Sequence, residues 1–72
     1  MSLWKKDGDL WYAERADLEA AIAASGHSED ILRRKLGAGY SELQEALRGK
    51  RLGGWTISHL EWGLTPENTH AG

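Results

Sequence analysis

The chain has 72 residues and no cysteine, and its nine basic and eleven acidic side chains give a formal net charge of −2. A chain this short forms at most one domain with a small core, and it has no thiol for a disulfide or a thiolate metal site. The net charge argues against indiscriminate nucleic-acid binding, and no apolar run approaches the roughly eighteen residues that span a bilayer. We therefore expect a single, mainly α-helical domain over residues 1–72, located in the cytoplasm.

The N-terminal segment, residues 1–14, holds two pairs of large apolar side chains, Leu3-Trp4 and Leu10-Trp11. Between them lies Asp7-Gly8, a dipeptide typical of tight turns because it tolerates positive φ. The segment is predicted to be either a short β-hairpin or an irregular arm that holds two tryptophans against the helices.

The stretch 16–49 is predicted to form a core of three helices, because its apolar side chains recur at intervals of three and four residues. The first helix opens at Ala16 or Asp17 and stops at Ser25-Gly26, where glycine suits a left-handed C-terminal cap. The predicted inward-facing side chains are Leu18, Ala21 and Ile22 in the first helix, Ile31, Leu32 and Leu36 in the second, and Leu43, Ala46 and Leu47 in the third.

The second and third predicted helices are separated by a glycine turn. Ser28 is a good N-cap for the second helix, and Gly37–Gly39 breaks it. The third helix is expected to start near Tyr40-Ser41, with Ser41 as its cap, and to end at Gly49.

The C-terminal segment, residues 50–72, is ambiguous. Trp55 and Ile57 alternate as in a strand, whereas Leu60 and Leu64 are spaced as in a helical turn. We expect an irregular or wing-like extension.

Tryptophans are the bulkiest apolar side chains, because the chain has no phenylalanine. They lie near both ends of the chain, so we expect the two ends to pack around one core. The four are Trp4, Trp11, Trp55 and Trp62.

Charge is unevenly distributed along the chain. Residues 33–51 hold six basic and two acidic side chains, and the flanking segments are acidic. This basic middle is either an ordinary solvated surface or a face that contacts a polyanion.

Residues 25–47 resemble the helix-turn-helix of small bacterial and phage DNA-binding proteins. In that family a Leu-Gly pair ends the supporting helix, and an apolar residue six positions after the glycine, with another four further on, anchors the recognition helix. Leu36-Gly37, Leu43 and Leu47 stand at these places, and Leu32 fits the apolar position of the first helix. Arg33 stands where the family usually has alanine or glycine, so its side chain must extend outward or widen the helix crossing.

The resemblance implies a sequence-selective DNA-binding protein, either a transcription regulator or a recombination accessory factor, acting in the host cytoplasm if a phage encodes it. The third helix would enter the major groove of double-stranded DNA. Because the acidic surface and the short length imply that one copy binds weakly, we expect a dimer or several copies along a site. The side chains able to touch bases would be Tyr40, Ser41, Gln44 and Arg48. Those on phosphates would be Arg33, Arg34, Lys35, Lys50 and Arg51.

The segment 59–71 resembles the closing segment of HNH homing-type endonucleases. The matching residues are Leu60, Glu61, Trp62, Thr65, Glu67, Asn68, His70 and Ala71, with His59 in place of the family's leading asparagine. The upstream half of that family's metal-binding finger is not visible, and hydrolysis of a phosphodiester needs a metal with several ligands. We therefore expect no enzyme, no catalytic residue, no metal and no cofactor.

Two alternatives stay open beside DNA binding. One is a small protein-interaction module, for example a phage factor that captures a host protein through exposed tryptophans, since tryptophan is enriched in binding hot spots. The other, more distant, is a remnant of an HNH endonuclease.

Overall fold

The structure is a computed structural model that describes residues 3–66. Two short strands, β1 (Lys5–Asp7) and β2 (Leu10–Tyr12), precede four helices. The helices are α1 (Arg15–Ser25), α2 (Glu29–Leu36), α3 (Gly39–Leu47) and α4 (Gly54–Leu64). The fold is mainly α, as the sequence predicts, but it has a fourth helix that the sequence analysis did not predict.

The N-terminal segment is a β-hairpin. β1 and β2 pair antiparallel, with Lys5 opposite Tyr12 and Asp7 opposite Leu10. Trp11 also exchanges two backbone hydrogen bonds of 2.8 Å with Leu52, which ties the hairpin to the segment before α4. The alternative of an irregular arm is therefore wrong.

The first three helices begin within one or two residues of their predicted starts. The Ser28 Oγ caps α2 as predicted, accepting a hydrogen bond from the Ile31 amide at 3.2 Å. The predicted Ser41 cap is wrong, because α3 already begins at Gly39. The Ser41 hydroxyl instead donates to the Ala38 carbonyl at 3.1 Å.

One core joins the hairpin to all four helices, and α4 contacts β2 and each of the other helices. Ile31 was predicted to face this core, but it is 44% exposed. The buried apolar residues are Trp4, Ala13, Leu18, Leu32, Leu36, Leu43, Ala46, Leu52, Ile57, Leu60 and Leu64.

The prediction of an irregular or wing-like C-terminal segment is wrong over Gly54–Leu64, which is helical. Ile57, Leu60 and Leu64 follow one another at intervals of three and four residues and are buried. Tryptophans occupy the opposite side of the same helix. Because large apolar side chains lie on both sides of α4, the sequence shows no single apolar stripe that would indicate a helix.

The tryptophans divide into two pairs. Trp4 is 3% exposed and Trp11 is half-buried, so the N-terminal pair contributes to the core as expected. Trp55 is 90% exposed and Trp62 is 53% exposed. The two ends do meet in one core, but Ile57, Leu60 and Leu64 bring the C-terminal end into it instead of the two tryptophans. None of the helices in residues 3–66 is long and apolar enough to cross a membrane.

Gly63→Ala is expected to lower the free energy of unfolding, because α4 passes close to α2 at this glycine. An added Cβ would collide with Leu36 Cδ2 and lie 2.9 Å from its Cγ. Overpacking a buried site costs about 1–3 kcal/mol, which outweighs the roughly 1 kcal/mol that alanine gains over glycine in a helix. Urea unfolding followed by circular dichroism measures the net loss.

Gly54→Ala is the matched control on the same helix. The atom nearest to its added Cβ is Trp11 Nε1 at 3.6 Å, an ordinary contact, so this variant should be as stable as the parent or slightly more stable. Equal stability of the two variants would show that α4 does not approach α2 at Gly63.

Candidate functional site

Helices α2 and α3 are joined by a turn that is one residue shorter than the predicted Gly37–Gly39, because α3 begins at Gly39. Only residues 37 and 38 separate the two helices, and Leu32, Leu36 and Leu43 are buried beneath them. The Gly37 amide donates to the Arg33 carbonyl at 2.9 Å, and the Tyr40 amide donates to the Gly37 carbonyl at 3.0 Å. These bonds fix the angle at which α3 leaves α2.

One side of α3 and of the residue after it is open to solvent. Ser41, Gln44 and Arg48 are exposed, and Tyr40 is half-buried at the edge nearest α2. The four are spaced at one, three and four residues, which places them within one arc of the helix surface. We call this set, Tyr40, Ser41, Gln44 and Arg48, the α3 face. It brings together all four residues predicted to contact bases.

Arg33 extends the α3 face from α2. Its guanidinium carbon lies 4.8 Å from the centre of the Tyr40 ring, and its Nε donates to Glu29 Oε2 at 3.1 Å. The hydrogen bond and the negative charge of Glu29 raise the pKa of Arg33 further above its ordinary value, so this side chain stays cationic. The long side chain at this position extends to the surface and does not fill the helix crossing.

The basic run Arg33–Lys35 is not one face. Successive residues of a helix point about 100° apart, so the three side chains fan around α2. Arg33 reaches α3, Arg34 is exposed, and Lys35 turns to α4. The Lys35 Nζ lies 4.9 Å from the centre of the Trp62 ring and 3.4 Å from the Thr65 carbonyl oxygen.

The basic residues beyond α3 are largely paired with carboxylates. Lys50 Nζ lies 3.1 Å from Glu45 Oε1, and Arg51 Nε lies 3.0 Å from Asp7 Oδ2. The Arg51 guanidinium also covers the Tyr12 ring at 4.0 Å. A groove continues the α3 face toward the hairpin, and its lining includes Tyr12, Arg15, Arg48 and Arg51.

These ion pairs lower the positive charge that the sequence implies for residues 33–51. The pairs of Arg33, Lys50 and Arg51 are all substantially exposed, so each contributes little stability. A phosphate could therefore replace the carboxylates at small cost. Within the described part of the chain, Arg34, Lys35 and Arg48 have no ion pair.

A second exposed surface lies on α4 and was not predicted as a helix face. The His59 and Trp62 rings are stacked with their centres 5.8 Å apart and their planes at 18°. Trp55, Ser58 and His59 line a shallow hollow beside them. We call Trp55, Ser58, His59 and Trp62 the α4 stripe. Their spacing of three, four and seven residues marks one helix face, but only once the segment is known to be helical.

The segment that resembles an HNH endonuclease is only partly described. His59 to Leu64 lie within α4, and His59 Nε2 is 3.2 Å from the Leu36 carbonyl oxygen. Glu67, Asn68, His70 and Ala71 lie outside the described residues. Within residues 3–66, no group of three or more histidine or carboxylate side chains could hold a metal ion.

Comparison with protein-family models, with curated proteins and with solved structures finds no match to this chain. The two resemblances, of residues 25–47 and of residues 59–71, therefore stay predictions from the sequence. What points to a function is the surface chemistry of the α3 face and of the α4 stripe.

Proposed function

We propose that this chain binds double-stranded DNA through the α3 face, as a regulator or a recombination accessory factor. The observation that carries the proposal is the shared exposure of Ser41, Gln44 and Arg48 on one side of a short helix that follows a tight turn. Amide and hydroxyl groups can read base edges in the major groove, and a guanidinium at the end of the helix can contact the phosphate backbone.

The dimensions of the α3 face suit that groove. An α-helix such as α3 is about 10–12 Å in diameter with its side chains, and the major groove is about 12 Å wide. Arg33 and Tyr40 lie at one end of the helix, and Arg48 lies at the other. Cations at both ends would reach phosphates while Ser41 and Gln44 meet the bases.

The residues predicted from the sequence to contact phosphate would contribute unequally to DNA affinity. Arg33 and Arg51 lie beside the α3 face and would exchange a carboxylate for phosphate, whereas Arg34 is exposed on α2 and has no ion pair to exchange. Lys35 points to α4, and Lys50 is held by Glu45, so both would contribute less. Because much of the affinity would come from phosphates, binding should weaken steeply as salt is added.

Fluorescence anisotropy with labelled duplexes tests the proposal. One duplex is selected for binding from a random library, the other is unselected, and both are measured at two salt concentrations. Arg48→Ala should weaken binding to both duplexes alike and reduce the slope of log K against log salt by about 1. Gln44→Ala should weaken only the selected duplex, by about 10–100-fold, because base contacts carry the sequence preference.

Lys35→Ala is the matched charge control, since it removes one cation from the side of α2 that faces α4. It should leave the affinity for both duplexes close to that of the parent. If no duplex binds at low salt, or if Lys35→Ala weakens binding as much as Arg48→Ala, DNA binding by the α3 face is refuted.

A second candidate function is that of a protein-interaction module. The exposure of Trp55 and Trp62 on one helix favours it, because large exposed aromatic patches mark interaction sites. A protein partner would then quench the fluorescence of these tryptophans, whereas DNA would leave it unchanged.

A further inference from the structure

Helix α4 is apolar on two opposite sides. Ile57, Leu60 and Leu64 pack into the core, and the α4 stripe presents two indoles to solvent on the other side. A helix that is apolar all round is ordinarily buried all round. Among residues 3–66, nothing covers the side of α4 that carries the α4 stripe, so this side is available to a partner surface.

The α4 stripe is complementary to itself. Trp55 lies three residues before Ser58, and Trp62 lies three residues after His59, so the stripe has the same spacing in both directions. An antiparallel pair of α4 helices, with a two-fold axis between Ser58 and His59, sets Trp55 opposite Trp62 of the second copy. Closed dimers use such a surface, in which one patch meets the same patch on its partner.

The charges near the α4 stripe permit this pairing. The stripe contains no carboxylate and no guanidinium, so two negatively charged chains can approach through it. Glu61 would stand opposite Thr56 of the second copy and not opposite another carboxylate. The Lys35 ammonium, already over Trp62, would come close to Trp55 of the second copy as a further cation–π partner.

The exposed area is enough for a weak dimer. Trp55 and Trp62 together expose about 360 Å² per chain, given their exposed fractions and about 250 Å² for a whole side chain. With Ser58, His59 and the stem of Lys35, two copies would bury roughly 1,000 Å², the lower limit for a specific interface. An interface of this size is typical of transient association.

We propose that two copies of this chain associate through the α4 stripe as an antiparallel helix pair. The proposal does not depend on DNA binding, because the α3 face and the α4 stripe lie on different helices and can be tested separately.

Sedimentation equilibrium of the whole chain over a wide concentration range tests the association. The parent should pass from monomer to dimer with a dissociation constant in the micromolar range, and Trp55→Ala or Trp62→Ala should weaken it at least tenfold. Leu10→Ala, which truncates an exposed apolar side chain on the hairpin, should leave the dimer unchanged. Circular dichroism checks that each variant stays folded.

Cross-linking tests the geometry, since the chain has no cysteine of its own. Ser58→Cys places one thiol per chain beside the two-fold axis, so a short bismaleimide should link the dimer efficiently. Ser41→Cys, on the α3 face, should not be linked. A chain that stays monomeric at every concentration, a dimer that Trp55→Ala does not weaken, or equal linking of the two cysteine variants would overturn the proposal.

Discussion

Leu60→Ala is expected to lower the free energy of unfolding by about 2–5 kcal/mol. Leu60 is fully buried in the middle of α4, and the alanine would leave a cavity among side chains that cannot all move to fill it. A chain of 72 residues has a total stability of only about 4–11 kcal/mol. The variant should therefore be partly unfolded at physiological temperature, and thermal and urea unfolding followed by circular dichroism would show it.

Trp55→Ala is the informative control for this experiment, because it removes a larger side chain from the same helix. Trp55 contacts mainly solvent, so at low protein concentration the change in unfolding free energy should stay within about 0.5 kcal/mol. A loss of stability from Trp55→Ala as large as that from Leu60→Ala would show that α4 packs with a different side toward the core.

Gly37→Ala is expected to lower the free energy of unfolding by about 1–3 kcal/mol, because of backbone conformation and not because a contact is lost. Gly37 has φ 57° and ψ −125°, a conformation that side chains with a Cβ strongly disfavour. No atom lies within 4 Å of the position of an added Cβ, so the cost is conformational and not a clash. Denaturant unfolding measures it.

Gly53→Ala supplies the comparison for the Gly37 prediction. Its added Cβ would also meet open space, but φ is −71° and ψ is 160°, which any residue can adopt. Alanine there restricts the unfolded chain and should be neutral or stabilising by up to about 1 kcal/mol. A Gly37→Ala variant as stable as Gly53→Ala would mean that the turn between α2 and α3 has a different backbone conformation.

The parts of the fold that the sequence predicts are those fixed by neighbouring residues. Asp7-Gly8 predicts the hairpin turn, and Ser28 predicts the start of α2, because turns and caps depend on side chains only a few positions away. The Leu36-Gly37 pair predicts the end of α2 for the same reason. These features need no knowledge of the rest of the chain.

Helix α4 could not be predicted in this way. Its first residue, Gly54, follows another glycine, and no side chain caps its start. Trp55 and Ile57 alternate as in a strand although they lie on opposite sides of the helix. Only the fit of Leu60 and its neighbours against the other helices decides between the two patterns, and that fit is a property of the folded chain.

The α3 face was predictable because its members lie close together on one helix. Its electrostatics were not, since they depend on contacts between distant segments. Arg51 and Asp7 form an ion pair although they are 44 positions apart, and Lys35 meets the Thr65 carbonyl across 30 positions. A count of charges within residues 33–51 therefore leaves out the carboxylates of Glu29 and Asp7, which pair with Arg33 and Arg51.

The two hydrogen bonds between Trp11 and Leu52 also bear on the order of folding. Two strands of three residues are only marginally stable alone, so the hairpin depends on this bridge to stay in place. The bridge closes a loop of about forty residues. The entropic cost of closing that loop falls once the three intervening helices have formed. Helices form in about a microsecond, and helices as short as α1, α2 and α3 persist once they pack against one another. We therefore expect the hairpin to pack against the helices last, and the core to be complete once Trp4 is buried.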